Sequence, residues 1–182
     1  MDCGPTCLRM VAKYYGQNYG IQPLRAAAEI GKEGVNLLGI AQAAESIGFK
    51  TLGVKVTLQK LLEEAPLPCI VHWGQNHFVV VYGKGIGALS TRRKGGDGTP
   101  RGIEVADPAA GLLTYTHEEF ESKWATTVAD GEKVGVALLL EPSPKFFEGA
   151  EGMEKRTKAI GLPYLFGYLW RYKGLFSQLG LG

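Results

Sequence analysis

Only three of the 182 residues are cysteine, an odd number that excludes a disulfide-stapled scaffold. Cys3, Cys7 and Cys69 include no second close pair and have no histidine at ligand spacing, so no metal site is expected. No signal-peptide pattern stands at the start, which together with the cysteine usage predicts a reducing, cytoplasmic setting. Charge of one sign is also scarce. The net charge is +2, and the one dense basic run, Arg92-Arg93-Lys94, lies among glycines in what reads as a loop tip. That excludes a nucleic-acid partner. No Gly-rich loop ending in Gly-Lys-Ser/Thr occurs, so any ATP hydrolysis belongs to a longer product or a partner chain. Internal repeats and low-complexity tracts are absent too.

What remains is ordinary globular material, 45% hydrophobic and 21% charged, enough for one domain with a buried core and a short appendage. Over residues 6–15, Cys7, Met10, Val11, Tyr14 and Tyr15 recur at helical spacing, with Pro5 suited to the first turn and Gly16 to the exit. Further helices are predicted over 23–29 and 37–47, the latter ended by Gly48. After Gly48 the texture changes. "FKTLGVKV" alternates like a half-buried strand, "TLQKLLEEA" reads as a helix capped by Thr57, and "CIVHW" and "HFVVVYG" read as an adjacent strand pair. "GIEVADP" and "VGVALLLEP" are further strands, with a helix capped by Thr116 between them. Helices first and an antiparallel sheet later define an α+β domain.

Residues 84–102, rich in Gly and basic side chains, read as a long hairpin excursion. The domain is expected over 1–144, followed by a polar linker over 145–161. Residues 162–182, "LPYLFGYLWRYKGLFSQLGLG", are aromatic and leucine-rich but broken by Arg171 and Lys173. They read as an amphipathic segment lying on a membrane surface.

The chemistry begins at "MDCGPTC". A cysteine at a helix N-terminus meets unpaired N–H groups and the positive end of the helix dipole, both of which favour a thiolate. Cys3, followed by Gly4 and Pro5, stands at the turn before the first predicted helix, whereas Cys7 is in phase with Met10 and Val11 and belongs in the core. A thiolate nucleophile needs a base, and the base an orienting group. His77 follows "GQN" at a strand start, fixed by the sheet yet open at its edge. His72 reads as a wall or core residue, and His117 as a solvated one at a helix start. Asp107 ends a strand before Pro108, where it is either the orienting acid or simply a turn-forming Asp-Pro. Cysteine on a first helix, histidine on a strand and aspartate on the next strand is the order of a papain-like cysteine hydrolase.

"DCGPTCLRMVAKYYG", "EGVNLLGIAQAAESIGFKTLGVKV", "PLPCIVHWGQNHFVVVYG" and "VADPAAGL" resemble, in order, the motifs of the bacteriocin-processing cysteine peptidase domain of peptidase-containing ABC transporters. The resemblance covers residues 1–144. It implies a papain-like fold, with Cys3 as nucleophile, His77 as general base and Asp107 as orienting acid. It also implies a precursor peptide with a Gly-Gly leader as substrate, transporter membrane and ATP-binding domains as partners, and a place on the cytoplasmic face of the bacterial plasma membrane. No cofactor is implied. The family's oxyanion glutamine lies a few residues upstream of the nucleophile, and only two residues precede Cys3 here, so Met1 is expected to be an internal methionine. Loss of that donor costs a hundredfold or more in rate, to order of magnitude. A leader-binding module without turnover is the alternative that the resemblance leaves open.

Overall fold

The computed structural model describes residues 2–28, 36–74, 77–84 and 102–148, all within the unit Met1–Ala150. Three helices come first: α1 (Cys3–Tyr14), α2 (Ile21–Ala28) and α3 (Leu37–Ser46). They are followed by β1 (Phe49–Val56), α4 (Leu58–Glu64), β2 (Cys69–Trp73), β3 (His77–Gly83), β4 (Ile103–Asp107) and β5 (Gly111–Tyr115). The described part ends with α5 (His117–Trp124), β6 (Thr127–Ala129), β7 (Glu132–Pro142) and α6 (Pro144–Glu148). The strands form one antiparallel sheet in the order β1-β7-β2-β3-β4-β5, with β6 paired to β7. This is the expected α+β, papain-like arrangement of N-terminal helices on an antiparallel sheet.

Successive side chains of a strand point to opposite faces, and the two cores follow that alternation. Ile70, Phe78, Val80, Ala106, Leu138 and Leu140 face a core shared with α1, α2, α3 and Phe146 of α6. Cys69, Val71, Val79, Val81, Val105 and Ala137 face the other, closed by Leu58 and Leu61 of α4 and by Phe120 and Trp124 of α5. The central strands β7, β2, β3 and β4 are thus buried on both sides.

Local signals set most boundaries. Thr57 Oγ1 accepts from the Lys60 amide, and Thr116 and Glu119 form a reciprocal capping box at the start of α5. Gly48 exits α3 at φ +98°, a conformation that disfavours a side chain. Helix α1 starts three residues before its apolar period does: Cys3 is its first residue and not part of a preceding turn. The reason lies in Pro5. The first intrahelical bond runs from the Thr6 amide to the Asp2 carbonyl at 3.0 Å, so the N–H that Pro5 lacks would have had no partner.

The polar stretch read as a linker from 145 begins as α6. Phe146 is fully buried and stacks on Phe49 with ring centroids 4.3 Å apart, while Ser143 Oγ and its amide both donate to the Gly48 carbonyl. A pair of phenylalanines in a charged context was the apolar signal for this docking. The remainder of that segment, the Gly-rich excursion over 85–101 and the 162–182 segment lie outside the described residues. Among the described residues no helix is long and apolar enough to cross a membrane.

Helix α1 crosses its face of the sheet obliquely. Its C-cap, Tyr15, packs on Phe49 and Phe146, and Phe49 pairs with Pro142 at the far end of β7. Because Ile70 pairs with Leu138, that end of the sheet lies toward Cys69 of β2. The N-terminus of α1 therefore lies toward the opposite end, where β2 turns into β3.

Candidate active site

His77 is the first residue of β3 and Asp107 the last of β4, so two adjacent strands deliver them to the same edge. His77 Nε2 lies 2.8 Å from Asp107 Oδ1, with the two side chains 28% and 12% exposed. The same Oδ1 accepts the Ala109 amide at 2.8 Å. Asp107 is thus a turn former and the partner of an imidazole at once. Burial raises its pKa, but the Ala109 amide, His77 and the Ala110 amide together outweigh that and hold it below the ordinary 3.8. A carboxylate held ionised only accepts, so Nε2 is the donor in this bond. The carboxyl is lowered on folding, so its contribution to stability is present above its unfolded value and is lost as pH falls through the lowered one.

The link to α1 is made by Cys7. Its Sγ donates to the Phe78 carbonyl at 3.2 Å, one residue along β3 from His77. The β3–β4 register begins at Val80 and Ala106, so Phe78 lies beyond it and this carbonyl takes a thiol instead. Burial pushes the Cys7 thiol well above its ordinary value, and the charges of Cys3 and Asp107 act in the same direction. Cys7 therefore sits between the other two as a packed, unreactive clamp. Cys3, one turn nearer the N-terminus, is half-buried against the same core. Cys69 is fully buried, and desolvation pushes its thiol up to about 12.

The sequence reading missed a further feature of this end of α1. Asp2 is the N-cap residue, yet its side chain makes no cap bond. Its carboxylate is forked on Arg25 of α2 instead, with Arg25 Nε donating to Asp2 Oδ1 at 3.0 Å. The pairing draws a negative charge away from the α1 amides, and across 23 residues no local spacing announces it. His117, by contrast, is exposed at the start of α5 and remote from the pair, as expected of a solvated residue.

Accessibility makes the assignment of the nucleophile testable. With limiting iodoacetamide at neutral pH, Cys3 is alkylated ahead of Cys7 and Cys69, as read by peptide mapping. Preferential labelling of Cys7 would move the reactive thiol into the core.

An imidazole–carboxylate pair at one end of an antiparallel sheet, with a cysteine-bearing first helix pinned to the same strand through Cys7, is an arrangement in keeping with the papain-like cysteine peptidases. Comparison with known proteins agrees. Residues 1–132 match the Peptidase C39 family, and the chain belongs to that family. It is 31% identical to the lactococcin-G-processing and transport ATP-binding protein LagD of Lactococcus lactis subsp. lactis, over 98% of this chain and 22% of that protein. It is also 31% identical to the transport/processing ATP-binding protein ComA of Streptococcus pneumoniae, over 100% of this chain and 22% of that one. The chain thus spans about a fifth of these relatives, 22% of each. Among solved structures, a double glycine motif protease from an AMS/PCAT transporter, in complex with the leader peptide, aligns at a TM-score of 0.58 and 29% identity, covering 78% of this chain and 85% of that one. The peptidase domain of Streptococcus ComA gives 0.58 and 31%, covering 78% and 92%.

Proposed function

We propose that this domain is an endopeptidase that cuts after the Gly-Gly end of a leader peptide, and that it does so as the cytoplasmic domain of a longer ABC transporter that exports the released peptide. The observation that carries the reading is the 2.8 Å contact between His77 and Asp107, set beside the Cys7 clamp that holds α1 against β3. The relatives named for processing and transport, and the structure solved with a leader peptide, support the substrate class.

Catalysis then runs as follows. The Cys3 thiol passes its proton to His77 Nδ1, and the thiolate so formed attacks the carbonyl carbon of the second glycine. The oxyanion that forms is met by the Cys3 amide, which precedes the first intrahelical bond and is not used by a side-chain cap. His77, oriented through Nε2 by Asp107, gives a proton from Nδ1 to the leaving amine. It next takes one from water, whose oxygen attacks the thioester and frees Cys3.

Incubating the chain with a synthetic peptide whose leader ends in Gly-Gly yields a single cut after the second glycine, and Cys3→Ala abolishes it, both read by mass spectrometry. Binding of that peptide without product would assign a docking module in place of a peptidase.

A further inference from the structure

His72 takes no part in the pair that His77 makes with Asp107. In the β2–β3 ladder His72 stands opposite Phe78. Residues directly opposite share a face, and the His72 ring lies 5.2 Å from the Phe78 ring. Phe78 belongs to the core under α1, and its carbonyl receives the Cys7 thiol. His72 therefore lies on the α1 side of the sheet, toward the end where α1 begins, on the strand next to the one that carries His77. Its ring is half-buried and, among the described residues, makes no hydrogen bond, ion pair or ring contact but the one with the Phe78 ring. No buried side-chain nitrogen or oxygen among the described residues lacks a partner, so the imidazole nitrogens are not orphaned in the core.

We propose that His72 is a substrate-contacting residue that hydrogen-bonds the main chain of the peptide at its glycine pair. This rests on the reading of Cys3 as the nucleophile for a Gly-Gly substrate. A glycine pair offers no side chain, so a polar group beside the cleft can recognise only its amide units. A neutral imidazole, with one donor and one acceptor, matches a peptide unit. The tilted contact with Phe78 restrains the ring, so less rotamer freedom is lost on binding.

The test is equilibrium binding of a synthetic Gly-Gly leader peptide to the full chain carrying Cys3→Ala, with and without a second change. His72→Phe keeps the ring packing and removes both hydrogen-bonding atoms, and it weakens binding about tenfold. His72→Gln keeps a donor and an acceptor and stays within about threefold of the parent. An unchanged affinity in the phenylalanine variant, or equal losses in both, overturns the proposal. If the phenylalanine variant does not fold, the nitrogen-15 shifts of the His72 ring in the Cys3→Ala chain decide. Movement on peptide addition supports the contact, and stationary shifts overturn it. Turnover retained by Cys3→Ala would instead remove Cys3 as the nucleophile, a result separate from either binding outcome.

Discussion

Replacing His77 by alanine lowers kcat on a Gly-Gly leader peptide by about four orders of magnitude, with the fold unchanged by circular dichroism. The side chain is 28% exposed at a strand start and fills no core cavity, so its loss removes the base without removing packing. Changes at Asp107 are graded beneath this. Asp107→Ala deletes both the imidazole's partner and the acceptor for the Ala109 amide. Asp107→Asn keeps an oxygen for both and loses only the charge that stabilises the imidazolium. Its kcat therefore falls between those of the alanine variant and the parent. A His77→Ala enzyme within tenfold of the parent would remove this histidine from the chemistry.

A large effect on stability is expected on the face of the sheet away from α1, at Gly135 on β7. A Cβ built there would lie 2.2 Å from Trp124 Cε2, 2.4 Å from Cδ2 and 2.7 Å from Cζ2. Trp124 cannot yield, because it is 1% exposed, packed on Phe120 and fixed by its Nε1–H donating to the Val136 carbonyl at 3.0 Å. Gly135→Ala forces either the indole or the strand to move and destabilises by about 3 kcal/mol. That lowers Tm by about 9 °C in a thermal melt. A shift under about 2 °C would mean that α5 slides on the sheet more freely than its packing indicates.

Much of this architecture was written in short-range pattern. Helical periodicity separated Cys3 from Cys7, the turn before His77 marked a strand start, and Pro108 marked the strand end that holds Asp107. What escaped was of two kinds. Strand β5 has too little inside-outside contrast to be read, since Leu112 is 74% exposed and its neighbours are at most half-buried. The β6–β7 hairpin did carry a signal, the Asp130-Gly131 pair, whose φ values of 52° and 82° suit a tight hairpin turn. The second kind depends on tertiary approach alone. The Cys7 bond to Phe78 spans 71 residues and the Ser143 bond to Gly48 spans 95, so neither has a local signature.

The Cys7 bond has a mechanical consequence. With a rise of 1.5 Å per residue, Cys3 lies about 6 Å from the pin and Tyr15 about 12 Å on the other side. Helix α1 is then a lever with unequal arms, its short arm bearing Cys3 and its long arm ending among Phe49 and Phe146. A tilt about the pin displaces the Cys3 sulfur by about half of what the aromatic end moves. A tilt that starts at the α6 end is thus geared down before it reaches Cys3.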